Sequence, residues 1–301
     1  MLDPKTSENG CSFIGKFINT LIRHTAPVLG DNLDSILKAV LSKMQSSNIL
    51  LVQQSLIMVF AHLIHSKLDA VLTFLSNLPG PTGKPVLEFL MTEWVAKQNS
   101  FVGPYECKIS ILALAKLLEH SIATDDLRFQ NIFVKGDRII NPIEGIKTRS
   151  KAKDEKELYT QVPLLVKVYK LLINEIHGLL EERKDDGDEE FEDEEDEGEG
   201  DEGDEDEIDD ENDIEVDENG AEAESINNYL NKYDILEDAF DKDENDEDDP
   251  DALEDPLMKI DLLEFLTNYL RTLSQHPSYK LFKEHHNQLE VEVLKEIGIN
   301  A

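Results

Sequence analysis

LLVQQSLIMVFAHLIHSKLDAVLTFLSNLPGPTGKPVLEFLMTEWVAK, residues 50–97, decides the fold. The stretch from Leu50 to His65 is nearly continuous in Leu, Ile, Val, Met and Phe and reads as a helix, with a shorter helical partner over Asp69 to Leu75. LPGPTGKP, 78–85, then breaks the chain, because proline blocks helix continuation and glycine opens backbone angles closed to other residues. A new helix follows over 86–97, with Leu87, Leu90, Met91 and Trp94 on one face. Helix pair, break, next helix: the pattern is that of a repeating helical hairpin.

The same period extends outward. Phe13, Ile14, Phe17, Ile18, Leu21 and Ile22 recur at helical spacing, and Leu33, Ile36, Leu37, Val40, Leu41 and Met44 do so after a capping Asp31 or Asn32. Residues 105–120 carry Ile109, Leu112 and Leu117, and Thr124 with Asp125 is expected to cap a short helix containing Leu127 and Ile132. Residues 135–157 have no apolar period and read as a loop. Pro163 suits a helical first turn, and Leu164, Leu165, Val168, Leu171, Leu172, Ile176 and Leu179 carry the helix to about Arg183. Asp255 and Pro256 form a cap and first-turn proline for a helix through Leu273, and helices over 277–282 and 289–297 finish the chain.

No segment reads as a strand, and the helix pairs recur at very roughly 35 to 45 residues, the spacing of HEAT or armadillo-type units. The expected fold is all-α, a HEAT-repeat α-solenoid, because a hairpin with apolar surface on both flanks covers it only by stacking on neighbours. By period alone, a compact helical bundle competes with it. The expected organisation is repeats over 1–183, an acidic insertion over 184–255 with a weak helical patch at 225–240, and C-terminal helices over 256–301.

Charge separates these parts. The 301 residues carry a net charge of −36, yet Glu181 to Asp255 alone holds 42 Asp and Glu against 4 Lys and Arg, leaving the remainder at +2. From Asp185 to Glu224 there is no lysine or arginine and little apolar surface to offset chain entropy, so disorder is expected there. A flexible polyanion raises the local potential felt by a lysine-rich partner and speeds its capture, although a solvated linker is the plainer reading of any charge run. The candidate cargo contacts are Asp188, Glu189, Glu190, Glu192, Asp193, Glu194, Glu195 and Asp196, acting by density, with Phe191 as an apolar anchor among them. Glu88 and Glu93, off the Trp94 stripe, are further candidates for a cargo-facing surface. Trp94 itself reads as core in preference to an exposed anchor. The basic cluster Lys147, Arg149, Lys151 and Lys153 is a candidate regulatory loop, open to nucleic acid, a transport factor or the acidic run of its own chain.

Other chemistry finds little support. Cys11 and Cys107 form no CxxC, which fits a reducing compartment. His62 and His65 lack a third ligand at suitable spacing, and His285 and His286 diverge on a helix, so no metal site is expected. Glu215, Asp217, Asn219 and Gly220 mimic half of an EF-hand loop, but Ile226 stands where the bidentate glutamate belongs. Gly80 to Pro85 lacks the hydroxyl residue and preceding strand of a phosphate loop, and no catalytic motif is present; neither enzyme activity nor a cofactor is expected. The N-terminus lacks a signal peptide and the apolar runs fall short of a membrane span.

KAVLSKMQ (38–45), QSLIMVFAHLIH (54–65), LPGPTGKPVLEF (78–89), EGIKTRSK (144–151), VPLLVK (162–167) and DDPDALEDPL (248–257) together resemble the C-terminal part of karyopherin-beta (importin-beta) family nuclear transport receptors. The resemblance runs in order along nearly the whole chain, acidic insertion included. It implies a HEAT superhelix that wraps basic cargo, core histones and ribosomal proteins above all, shuttling between cytoplasm and nucleus. It implies contact with nucleoporins and none with membrane or directly with nucleic acid. It also implies that Ran GTPase binds through N-terminal repeats of the family that this chain, matching a C-terminal third, does not contain. An acidic histone chaperone or scaffold without transport activity is the alternative.

Overall fold

The computed structural model describes residues 2–3, 13–30, 32–138, 158–188 and 255–300. Its elements are α1 (Ile14–Leu29), α2 (Asn32–Ser46), α3 (Leu50–Asn77), α4 (Val86–Lys97), α5 (Pro104–Thr124), β1 (Phe133–Arg138), β2 (Tyr159–Pro163), α6 (Leu164–Asp188), α7 (Leu262–Ser274), α8 (Tyr279–Lys283) and α9 (Gln288–Glu296). Short 3-10 turns lie at 98–100, 127–129 and 256–259. The expected array of stacked helical hairpins is what the chain forms.

The first helices pack on alternate neighbours, α1 on α3 and α3 on α5, and α6 then packs on α5, α7 and α9. One apolar core runs without a break from Ile14 to Ile299. At the first junction the helices come into direct backbone contact, with Gly15 N–H donating to Ser55 Oγ at 2.8 Å. Only glycine admits this approach, since a Cβ on Gly15 would overlap the Ser55 carbonyl oxygen. At the next junction the Gln54 side chain both donates to Val102 O and accepts from Val102 N–H (2.5 and 3.1 Å). Lys116 Nζ donates to His65 O at 2.8 Å further along. The last two contacts advance along both helices together, so α3 and α5 run parallel.

The two-part reading of the deciding stretch holds in a specific way. Lys67 departs from helical backbone (φ −146°, ψ 49°) inside α3, so the segments predicted over Leu50 to His65 and Asp69 to Leu75 meet at a kink. α3 as a whole is long and apolar enough to match a membrane span by length and composition, which corrects the expectation that no apolar run approaches one. Val52, Leu56, Val59, Phe60, Ile64, Leu72 and Leu75 of this helix are core. The 78–85 break is a closed turn, with Val86 N–H donating to Leu78 O (2.9 Å), Gly80 N–H to Lys84 O (2.7 Å) and Gly83 at φ 79°.

The absence of strands is the expectation that fails. Residues 135–157 do not form one loop: β1 and β2 pair antiparallel, with Phe133 opposite Pro163 and Val134 opposite Val162. Val134 and Val162 point into the core, while Gly136 leaves room for the Val162 and Thr160 side chains. The hairpin forms because its apolar alternate positions are covered by α4 and α6. Two cap assignments also shift. Asp125 is the left-handed C-terminal residue of α5 (φ 49°), and Asp126 caps the next turn by accepting from Arg128 N–H at 3.0 Å. Asp255 does cap, but for the 256–259 turn; α7 starts afresh at Asp261, which accepts from Glu264 N–H at 2.8 Å.

Candidate functional site

Of the predicted cargo-facing residues, the two on α4 do not share a face. Glu88 and Glu93 both lie on α4, five residues and therefore about 140° apart around the helix. Each is paired to a lysine one turn away, Glu88 to Lys84 at 2.5 Å and Glu93 to Lys97. They present two neutralised ion pairs and no bare acidic face. Asp188 is the last residue of α6, while Glu189 to Asp196 and the basic residues Lys147, Arg149, Lys151 and Lys153 lie outside the described residues. The 225–240 patch does too. Trp94 is fully buried and its indole N–H donates to Ser110 Oγ at 2.8 Å, as the core reading requires.

The described residues instead define how the charged segments are mounted. α6 leaves the body through two ion pairs, Arg183 to Asp261 (3.2 Å) and Lys184 to Glu296 (3.4 Å). The chain re-enters at Asp255, which is only 7 % exposed. One carboxylate oxygen of Asp255 accepts from Leu257 N–H at 2.9 Å and the other from the Tyr105 hydroxyl at 3.0 Å, with the Arg23 guanidinium 3.5 Å away. Lys108 Nζ then donates to Met258 O at 2.7 Å. The return end of the acidic segment is thereby stitched to α1 and α5. Burial, followed by the Asp255 charge, pushes the Tyr105 phenol well above its ordinary range, so it stays a hydrogen-bond donor.

Leu164 N–H donates to Ile132 O at 2.9 Å, so the chain passes from the end of α5 through the hairpin into the start of α6. α5 and α6 are consequently antiparallel, and both ends of the acidic insertion emerge at the same end of that pair. The basic segment leaves from the hairpin, whose Asp137 sits against Lys170 at 2.8 Å. Eighteen residues of α6 separate Lys170 from Asp188, so the roots of the basic and acidic segments stand about 27 Å apart along one helix.

Sequence reasoning missed the polar cluster beside the hairpin. Lys170 (3 % exposed) and Glu290 (2 % exposed) are bound together, and Tyr169 packs against Tyr279, Phe282 and His286. Burial and the nearby Lys170, Lys283 and His285 hold His286 down at about 4, so it is neutral near pH 7 and shares a 3.0 Å hydrogen bond with the Tyr169 hydroxyl. A helical period marks position 170 only as a polar residue in an apolar run. His62 and His65 serve the α3–α5 seam, His62 against the Tyr105 ring and His65 Nε2 3.0 Å from Ile109 O. Among the described residues no group of three or more His, Cys, Asp or Glu is placed to hold a metal ion.

A stacked array of helical hairpins carrying charged insertions defines a helical-repeat binding scaffold, a class that acts by offering surface. The protein-family profile described as "Importin-11-like, TPR repeats" matches residues 1–299. The chain is 34 % identical to Importin-9 of Drosophila melanogaster over 291 residues, which is 95 % of this chain and 26 % of the relative. It is 26 % identical to Importin subunit beta-5 of Saccharomyces cerevisiae over 178 residues, 58 % of this chain and 17 % of the relative. The chain belongs to the importin-11-like repeat family of nuclear import receptors, within the karyopherin-beta group that its sequence resembles. It spans about a quarter or less of the length of these curated relatives.

Proposed function

We propose that this chain is the C-terminal part of a nuclear import receptor that binds and shields basic cargo, core histones and ribosomal proteins, during passage from cytoplasm to nucleus. The observation that carries the reading is the division of charge: a segment of net −38 fastened at Asp255 to an array of net +2 in a chain of importin type. Such a polyanion attracts lysine-rich surfaces and competes with nucleic acid for them, an attraction screened beyond about 8 Å at physiological salt. Asp188 to Asp196 contribute by charge density, with Phe191 as an apolar contact, and Glu88 and Glu93 take part only where cargo displaces Lys84 and Lys97. Ran GTPase acts through other repeats of the receptor, nucleoporins through the array, and the receptor shuttles between the two compartments. No step in this function needs a catalytic residue or cofactor.

The test is a pull-down of purified histone dimers and a basic ribosomal protein by the full chain, at low and raised salt. A variant with the acidic residues of 188–196 changed to Asn and Gln is run in parallel, each with and without Ran. The expected result is salt-sensitive capture, weakened in the variant, with Ran acting only when the longer receptor is used. Equal capture by both proteins at low salt overturns the role of the acidic run. Capture that Ran never releases from the longer receptor marks a chaperone and not a carrier.

A further inference from the structure

The Lys170 side chain joins three elements that are distant in sequence. Its ammonium donates to Asp137 Oδ2 of β1 at 2.8 Å and to both carboxylate oxygens of Glu290 on α9 at 2.9 and 3.0 Å. Glu290 is committed twice over, since its Oε2 also accepts from Asn287 N–H and its own N–H donates to Asn287 Oδ1, each at 2.9 Å, closing the capping box that starts α9. The Asp137 side chain is 47 % exposed and stands two residues before the segment, from position 139, that carries Lys147 to Lys153.

We propose that Lys170 is a shared anchor that registers the β1–β2 hairpin against the C-terminal helix α9, so that the seat of the basic segment and the docking of the C-terminus are set by one ammonium. The physical basis is the charge balance of the joint. Both carboxylates lie within hydrogen-bonding distance of the same nitrogen, which puts them no more than about 6 Å apart, where two like charges in a partly buried site repel strongly. Lys170 converts that repulsion into attraction on both sides. Lys167 faces the same carboxylates, and burial holds its ammonium below the ordinary lysine range, so it is the internal control for mere proximity of positive charge.

Hydrogen exchange read by mass spectrometry on the full chain tests the anchor. In Asp137→Asn, exchange in 133–138 and 159–163 should rise at least threefold while 288–296 keeps its protection. In Lys170→Met both regions should exchange at least tenfold faster, and the double variant Lys170→Met/Asp137→Asn should recover part of the α9 protection, because one repelling carboxylate is gone. Lys167→Met should leave both regions within twofold of the parent. The inference is overturned if Lys170→Met loosens α9 and leaves the hairpin unchanged, or if Lys167→Met matches it. Should Lys170→Met fail to fold by circular dichroism, Asp137→Asn decides alone: an unchanged hairpin sinks the proposal.

Discussion

The Tyr105 hydroxyl donates to Asp255 Oδ2 at 3.0 Å across 150 residues of chain, and this bond fixes where the acidic insertion rejoins the array. Removing the Tyr105 hydroxyl breaks one buried bond and leaves Asp255 with Leu257 N–H and the Arg23 guanidinium. Tyr105→Phe should cost about 1 kcal/mol of stability, and Asp255→Ala, which also loses the cap on Leu257 and the Arg23 pair, about 1–3 kcal/mol. A double-mutant cycle by guanidinium unfolding should give a coupling near the single Tyr105 cost; strictly additive losses would mean the bond contributes nothing.

Trp94 is the only tryptophan, so its fluorescence reports one site. Fully buried against Ser110 and Gln98, it should emit at short wavelength, resist acrylamide quenching and shift red on unfolding. Trp94→Ala should cost about 3–5 kcal/mol through the cavity it leaves. An emission maximum typical of exposed indole in the folded chain would contradict this placement.

Gly15 lies in the first turn of α1, where alanine would ordinarily favour the helix by about 0.5–1 kcal/mol. Here the close approach of Ser55 reverses the sign. Gly15→Ala should destabilise the chain by about 1–3 kcal/mol as α1 is pushed from α3, seen as a lower melting temperature. A neutral or stabilising result would show that the junction is looser than the 2.8 Å Gly15 to Ser55 bond indicates.

His286 should make stability depend on pH. Its pKa is about 4 when folded and near the ordinary 6.5 when unfolded, so the unfolded state binds the extra proton first. The stability tied to the neutral ring is fully present above 6.5 and is lost as pH falls toward 4. His286→Gln, which removes the titration, should show a smaller fall in unfolding midpoint between pH 7 and pH 4.5 than the parent chain. Equal falls would remove His286 from the pH response.

The helices were legible because each announces itself locally. Leu50 to His65 is apolar along its length, LPGPTGKP cannot continue a helix, and Leu164, Leu165, Val168, Leu171 and Leu172 keep a helical period after Pro163. The division of charge was equally legible, since it needs only counting. FVKGDR and YTQVP were not legible as strands: the twenty residues between Arg138 and Tyr159 remove any turn signal, and the pairing is stabilised by α4 and α6 covering Val134 and Val162.

By itself, then, the sequence determined a succession of paired helices bearing one acidic segment and one basic segment, because helical period and net charge are sums over neighbours in the chain; period left a stacked array and a compact bundle both open. Only the tertiary structure decided that Asp255 returns to Tyr105 and that Lys170 joins Asp137 to Glu290. The partners in these contacts are separated by 33 to 150 residues. Their energy arises from excluding water around charges that packing brings together, and no local pattern records which distant residue will supply the opposite charge.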